Sequence, residues 1–297
     1  MRARIKSLVE PALGWAGRRA LRSPGASRHA VILAYHNIVP DGLPHAGDRP
    51  LHLSVSSFAR QLDLLAECCE VVPLPAALES SAPGRLRVAI TFDDAYRGAV
   101  TLGRAELGRL GLPATMFVPP GLLGGATFWW DDLAGAEGLS PALRARALDE
   151  RMGKDAEVRR LMPPAAAVLP PELHSASAED LDAAARQPGF TLGSHTWSHP
   201  NLARLDTPEL GEELIRPLHW LGQRFSAATI PWLSYPYGLF SAPVVAATRR
   251  AGYAGALLVA GGRLIPNEVD RFAIPRINVP SGLSLNGLAL RLAGLRP

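Results

Sequence analysis

Short apolar runs alternate with longer amphipathic stretches along the chain from residue 30 onward. The stretches place leucines three or four positions apart, which is typical of helices with one buried face. Apolar strands separated by helices indicate parallel β/α units, and about seven such strands over roughly 250 residues favour a barrel-like closure. Six runs have the length and composition of buried strands: residues 30–35, 87–92, 114–118, 190–193, 229–235 and 254–259.

Capping residues predict where several helices begin and end. Ser57, Ser177 and Asp206 each precede an amphipathic stretch, and an acidic residue follows three positions after the last two. This spacing matches the capping box, in which two side chains satisfy the first free N–H groups of a helix. Gly111 is predicted to end the preceding helix, because glycine readily adopts the left-handed conformation found there.

One segment interrupts the alternation. Residues 128–176 contain a tryptophan pair, a charged helical stretch and the proline-rich sequence MPPAAAVLPP. We interpret this segment as an insertion over one end of the barrel. The chain is therefore divided into a basic N-terminal arm, residues 1–29, and one domain, residues 30–297, that carries the insertion.

The composition excludes global disorder, since 47% of the residues are apolar and 20% are charged. Cys68 and Cys69 are adjacent in the sequence, and adjacent cysteines rarely form a disulfide bond with each other. No disulfide framework is therefore expected, which fits a reducing compartment. The net charge of +4 comes from residues 1–28, which hold seven basic residues and one acid. The remaining 24 basic and 26 acidic residues leave the body slightly acidic, so we expect no nucleic-acid partner.

The arm lacks the pattern of a secretion signal or a membrane span. Glu10, Pro11, Arg18 and Arg19 interrupt every apolar run. We therefore expect a cytoplasmic protein. Residues 1–28 are interpreted either as a solvated terminus or as a helix that lies on the anionic inner surface of a membrane.

Two polar motifs follow predicted strands. Asp93 and Asp94 come directly after the run at 87–92, and His195 and His199 come after the run at 190–193. Active sites of such folds lie at the carboxyl ends of parallel strands. Two histidines and one carboxylate form a three-ligand metal site with open positions. A capped turn and a histidine-rich loop are the structural alternatives.

These motifs resemble a known family. TFDD at 91–94, HTWSHP at 195–200 and YPYG at 235–238 are similar to the polysaccharide deacetylases of carbohydrate esterase family 4, which contain the NodB-homology domain. The similarity spans roughly residues 30–280. It implies a distorted seven-stranded (β/α) barrel that hydrolyses N-acetyl groups on acetylated glycans with one divalent metal ion.

The resemblance also implies roles for individual residues. Asp93 corresponds to the general base, and Asp94, His195 and His199 correspond to the metal ligands. The ion is expected to be Zn²⁺, with Co²⁺, Ni²⁺ and Mn²⁺ as alternatives. A backbone amide near Tyr237 corresponds to the group that stabilises the oxyanion, and Tyr237 also belongs to the substrate site.

The sequence departs from the family at two functional positions. The usual arginine beside the base is replaced by Ser234, and Arg276 is a candidate replacement that would pair with Asp93. An ordinary surface arginine is the alternative. The usual histidine acid near the C-terminus is missing. Tyr35-His36-Asn37-Ile38 resembles the start of the subgroup that deacetylates exported poly-N-acetylglucosamine, which implies His36 as the acid unless it is an ordinary loop histidine.

Trp129 and Trp130 are candidates for stacking on a sugar ring, although a tryptophan pair also suits the core of a lid. We predict an N-deacetylase acting on a polysaccharide, oligosaccharide or glycolipid that contains N-acetylhexosamine. A non-catalytic carbohydrate-binding protein on the same fold is one alternative. Hydrolysis of an O-acetyl ester or a cyclic amide at the same site is another.

Overall fold

The computed structural model describes residues 17–21, 29–80, 84–161 and 168–295. The strands within these residues are β1 (Ala30–Tyr35), β2 (Asn37–Val39), β3 (His52–Ser54), β4 (Glu70–Val71), β5 (Arg87–Phe92), β6 (Ala114–Val118), β7 (Phe190–Ser194), β8 (Thr229–Ser234), β9 (Gly255–Leu257) and β10 (Ile277–Asn278). The α-helices are α1 (Val55–Cys68), α2 (Arg104–Leu110), α3 (Trp129–Asp132), α4 (Pro141–Glu150), α5 (Asp155–Leu161), α6 (Ala178–Ala185), α7 (Thr207–Arg224), α8 (Ala242–Arg250) and α9 (Leu285–Leu292).

The main sheet is parallel and curled. Its strands follow the order β10-β1-β5-β6-β7-β8-β9, with the short β4 paired to the start of β5. A parallel bridge between Leu257 and Ile274 connects β9 to the chain just before β10, which draws the two ends of the sheet together. The result is the predicted distorted seven-stranded (β/α) barrel, and the predicted fold class is confirmed.

The two faces of the sheet contribute to different parts of the core. Along β1, Val31 and Leu33 belong to the large cluster that includes the apolar face of α1. Ala30 and Ile32 point the other way and join Phe117 from β6 in a smaller cluster inside the curled sheet. This two-residue alternation places helices outside and a narrow apolar filling inside. The carboxyl ends of the strands are left for polar groups.

Most predicted boundaries agree with the structure. Ser177 forms the predicted capping box, and Gly111 ends α2 with a left-handed φ of 63°. The cap predicted for α1 is wrong by three residues: Ser54, not Ser57, caps the helix, and its hydroxyl accepts the backbone N–H of Ser57. Ser54 has the extended backbone that a cap requires, whereas Ser57 already lies inside the first turn.

Part of the N-terminal arm packs on the domain. Leu21 is buried in the large core cluster, and Arg18 donates a hydrogen bond to Asn286 at the start of α9. Residues 1–16 and 22–28 lie outside the described residues, so the interpretations of their structure stay predictions. Among the helices that the structure describes, none has the length and apolar content to cross a membrane.

Candidate active site

The ends of β5 and β7 bring four chemically active side chains together. Asp93 and Asp94 follow β5 directly, and His195 follows β7, where its backbone N–H bonds to the carbonyl of Val118 at 2.9 Å. The Nε2 atoms of His195 and His199 are 3.0 Å apart. They lie 3.4 Å and 3.2 Å, respectively, from Oδ1 of Asp94. Three potential ligand atoms therefore converge on one point.

The donor set fits a divalent metal ion. Bonds of about 2.0–2.1 Å in a tetrahedral site separate neighbouring ligand atoms by about 3.3–3.4 Å, close to the spacing of Asp94, His195 and His199. Burial alone would raise the pKa of Asp94, but its contacts with the two imidazoles lower it. Burial alone would lower the pKa of His195, but Asp93 and Asp94 raise it. The surrounding charges thus favour a cation at this point.

The two histidines are held differently. Nδ1 of His195 donates to the carbonyl of Ser234 at 2.7 Å, which leaves Nε2 free to act as a ligand. Nδ1 of His199 is buried and has no hydrogen-bond partner among the described residues. The ring of His199 instead packs against Trp130 and Tyr237, with centroid distances of 4.9 Å and 4.5 Å. Its position therefore depends on packing and on the backbone of its loop.

Backbone strain is concentrated here. Positive φ values are uncommon in residues other than glycine, and they cost free energy unless the surroundings compensate. Five such residues lie in the three strand-end motifs: Asp94, Ala95, Thr196, His199 and Tyr237, with φ between 55° and 69°. The strain places the polar side chains at the strand ends in orientations that ordinary extended backbone would not give.

Asp93 forms a buried ion pair with Arg276. The guanidinium contacts both carboxylate oxygens, at 2.9 Å and 2.6 Å, and also bonds to the hydroxyls of Thr91 and Ser234. Burial alone would raise the pKa of Asp93, but Arg276 and His195 lower it. Arg276 arrives from the segment before β10, and the small side chain of Ser234 leaves room for its guanidinium. The structure thus places Arg276 beside the base candidate, not on the surface.

A cleft of about 310 Å³ opens onto these groups. His36, at the end of β1, is half-buried on its wall. Burial lowers the pKa of His36, while the nearby carboxylates of Asp94 and Asp93 oppose this shift. Tyr237 lines the cleft as well, and its hydroxyl is buried. The apolar part of the wall consists of Pro50, Leu51, Trp130, Leu148, Leu239 and Val259.

The two tryptophans do not have the same position. Trp130 lines the cleft and packs against the metal-ligand candidate His199. Trp129 is only 1% exposed and does not line the cleft. The expectation that Trp129 stacks on a sugar is therefore wrong, because its ring is enclosed by protein in the large core cluster. Trp130 stays a candidate for substrate contact.

The wall of the cleft depends on a buried carboxylate that the sequence did not indicate. Asp131 accepts hydrogen bonds from the backbone N–H of Asp48 at 2.8 Å, from Nε2 of His52 at 3.0 Å and from the hydroxyl of Tyr96 at 2.6 Å. The same hydroxyl accepts from Nε1 of Trp130 at 2.7 Å. One side chain thus connects three segments that are far apart in sequence.

A charged pair completes this wall. The guanidinium of Arg144 on α4 contacts the buried carboxylate of Asp48, and both residues line the cleft. Gly47 lies beside this junction with a φ of +67°, and a Cβ there would come within 2.6 Å of the Asp131 carboxylate. The residue pattern gave no signal for the pair, because neither residue follows a main-sheet strand or belongs to a motif.

Comparisons with known proteins identify the family and agree with the fold. A family model described as polysaccharide deacetylase matches residues 81–256. No curated protein matched the sequence. A deacetylase of Streptococcus pyogenes, PplD in complex with acetate, is similar in structure, with a TM-score of 0.62 and 18% identity over 91% of this chain and 99% of that chain. IcaB from Ammonifex degensii gives a TM-score of 0.63 and 17% identity over 92% of this chain and 98% of that chain. At these identities the two structures support the fold alone.

Proposed function

The chain belongs to the polysaccharide deacetylase family of carbohydrate esterase family 4, and we propose that it removes N-acetyl groups from N-acetylhexosamine units with the help of one divalent metal ion. The proposed substrate is an acetylated polysaccharide, oligosaccharide or glycolipid. The observation that carries the proposal is the convergence of the ligand atoms of Asp94, His195 and His199 beside the buried carboxylate of Asp93. Zn²⁺ suits this donor set, as do Co²⁺, Ni²⁺ and Mn²⁺.

The ion would be held by Asp94, His195 and His199. When bound there, it would polarise the acetyl carbonyl and lower the pKa of a water molecule. Asp93 acts as the general base that accepts the proton of the attacking water. The ion pair with Arg276 keeps Asp93 ionised and fixes its orientation, which supports this role.

Two further groups complete the proposed chemistry. The backbone N–H of Tyr237 stabilises the oxyanion of the tetrahedral intermediate, and the left-handed conformation of this residue at the cleft supports that assignment. His36 donates a proton to the leaving amine, because without this proton the intermediate reverts to acetamide. The position of His36 on the cleft wall, near both Asp93 and Asp94, supports this assignment.

The shape of the cleft supports a single hexosamine as the group that enters it. Its volume of about 310 Å³ lies at the lower limit of small-molecule pockets, which measure about 300–1,000 Å³. The ligand side chains at its base are 2–4% exposed, so the acetamide group has to reach inward. Trp130 and Tyr237 offer aromatic surface to the sugar.

An acetate-release assay tests the proposal. We expect the purified, metal-loaded protein to release acetate from N-acetylated chito-oligosaccharides. The variant Asp93→Asn should lose acetate release while it keeps one bound metal ion, because an amide is not a base and ligation rests on Asp94. Metal content and acetate are measured on the same preparations.

The alternatives predict different results. Acetate release from O-acetylated polysaccharide but not from N-acetylated substrates would indicate an esterase. Binding of chito-oligosaccharides without acetate release by the metal-loaded protein would indicate a non-catalytic carbohydrate-binding protein. Loss of the metal ion in Asp93→Asn would show that the roles of Asp93 and Asp94 are exchanged.

A further inference from the structure

The loop between the two ligand histidines, residues 195–199, has a conformation that its sequence does not favour. Thr196 and His199 have φ values of 65° and 62°, and both residues carry a Cβ that disfavours this region. Two local bonds help to keep the turn: the Thr196 N–H bonds to the hydroxyl of Ser194, the last residue of β7, and the His199 N–H bonds to the Thr196 hydroxyl. Such strain persists only where other contacts compensate for it.

The middle of the loop is bound from outside by one carboxylate and by two backbone hydrogen bonds. In the latter, the Trp197 N–H bonds to the backbone carbonyl of Glu213 at 3.1 Å, and the Gly121 N–H bonds to the carbonyl of Trp197 at 2.8 Å. Oε2 of Glu213, on α7, accepts the backbone N–H groups of Trp197 at 2.9 Å and of Ser198 at 2.8 Å. Oε1 of Glu213 accepts the hydroxyl of Ser198 at 2.6 Å. Hydrogen bonds to an ionised acceptor are stronger than those between neutral groups. No arginine or lysine among the described residues forms a salt bridge with Glu213, so the hydrogen bonds of its carboxylate all go to the loop.

The same helix makes a second contact with the loop. The guanidinium of Arg216 lies 3.6 Å from the centre of the Trp197 ring. This stacking holds the tryptophan side chain outside the cleft, while Glu213 holds its backbone. Helix α7 therefore fixes the loop at its centre, and the ligands His195 and His199 lie at its two ends.

His199 is the ligand that depends most on this arrangement. Its Nδ1 atom has no partner among the described residues, so nothing outside the ligand set orients its ring through a hydrogen bond. The ring of His195, in contrast, is oriented by the carbonyl of Ser234. A shift of the loop would therefore move Nε2 of His199 relative to Asp94, while His195 stayed in place.

We propose that Glu213 is a positioning residue for metal binding. Its carboxylate holds the 195–199 loop in the left-handed conformation that keeps His199 within reach of His195 and Asp94. The inference rests on the proposed function, since it requires that these three side chains bind a metal ion. Glu213 has no contact with substrate or metal in this role.

The test measures metal affinity instead of turnover. Glu213→Ala and Glu213→Gln are compared with the wild type and with Glu212→Ala, an exposed neighbour on the same helix. The dissociation constant for Zn²⁺ is determined by competition with a chelator, and the absorption spectrum of Co²⁺ reports the ligand environment. The circular dichroism and the Tm of each metal-free protein show whether it is folded at the temperature of the titration.

We expect Glu213→Ala to weaken Zn²⁺ binding by about 10–100-fold and to alter the Co²⁺ spectrum. Glu213→Gln keeps an acceptor oxygen without the charge, so its affinity should lie between those of Glu213→Ala and the wild type. Glu212→Ala should bind like the wild type. A purely structural role would lower the Tm without changing the dissociation constant of the folded protein.

Two kinds of result would overturn the inference. One refutes only the positioning role of Glu213, and the other also refutes the proposed metal-dependent function. Wild-type Zn²⁺ affinity in folded Glu213→Ala would refute the positioning role alone. If Glu213→Ala does not fold, wild-type affinity in Glu213→Gln would refute it in the same way. A wild-type protein that binds neither Zn²⁺ nor Co²⁺ would refute the proposed metal-dependent function and the inference together.

Discussion

Two regions border the same cleft and are built in different ways. The ligand loops, residues 93–94 and 195–199, follow strands of the parallel sheet, so the backbone of the sheet determines where their side chains begin. The cleft wall, residues 47–52 and 128–148, consists of segments far apart in sequence that meet around the buried carboxylate of Asp131. In the first region the strands determine where the ligand residues lie and Glu213 binds the histidine loop, whereas the second region is held together mainly by side-chain hydrogen bonds.

This difference predicts which property of the protein is lost when each region is mutated. Damage to the ligand loops should remove the metal ion while the fold survives, because the strands below are held by the apolar core. Loss of the Asp131 hydrogen bonds in the cleft wall should lower stability and substrate binding while the metal ion stays, because Asp94, His195 and His199 make no hydrogen bond to Asp131. Variants in each region can therefore confirm or contradict the comparison.

The largest effect is expected in the ligand loops. The double variant His195→Ala/His199→Ala should lose both stoichiometric metal and acetate release, since it removes two of three ligands. The exposed His219→Ala is the matched control and should keep both. Metal analysis after dialysis and circular dichroism provide the measurements. Retention of one tightly bound ion by the folded double variant would refute the site.

A second large effect is expected at His36, which lines the same cleft. His36→Ala should keep its metal and its fold but lower kcat by roughly 10²–10⁴. It should also lose the alkaline limb of the pH–rate profile, because that limb reports deprotonation of the acid. Burial lowers the pKa of His36, so this limb in wild-type kcat/KM should lie below the usual histidine value of about 6.5. Near-wild-type turnover in the folded variant would exclude His36 as the donor.

In the cleft wall, Asp131→Asn should cause a smaller loss of deacetylase activity, together with a loss of stability. The carboxylate of Asp131 accepts three hydrogen bonds, and the NH₂ group of an asparagine would face one of these donors without being able to accept from it. We therefore expect the free energy of unfolding to fall by about 1–3 kcal/mol. Urea unfolding measures this, and Asp149→Asn, whose partner Arg204 is on the surface, should change stability by less than about 1 kcal/mol. We expect kcat/KM to fall by about 10-fold with metal content unchanged. Loss of the metal ion in Asp131→Asn would contradict the separation of the two regions.

The basic arm should affect neither region. Replacing Arg2, Arg4 and Lys6 with glutamine should leave deacetylation unchanged but weaken binding to anionic liposomes, and wild-type binding should decline as salt rises. A full deletion of residues 1–28 would be a poorer test, because it also removes the buried Leu21. Unchanged liposome binding by the triple variant would refute the membrane interpretation of the arm.

The sequence predicted the parts of the molecule in which neighbouring residues determine the structure. The strands β1, β5 and β6 and the cap at Ser177 follow from local hydrophobic patterns and turn chemistry. The motif residues Asp93, Asp94, His195 and His199 were found because they stand at strand ends. Arg276 was a candidate only because Ser234 lacked the expected arginine. Trp129 was misplaced, since composition does not tell which of two adjacent rings faces a cavity.

Asp131, Arg144 and Glu213 show what the sequence left open. Each acts through partners that are 15 to 96 positions away, and nothing in the neighbouring residues selects those partners. The sequence by itself therefore determined the barrel and the chemical groups at its strand ends. The reason is that the hydrophobic pattern of each strand, and the helix that connects it to the next parallel strand, can be read from neighbouring residues. Only the tertiary structure decided how the cleft is walled and how the histidine loop is held, because a buried carboxylate is satisfied by whichever donors the folded chain brings within hydrogen-bond distance.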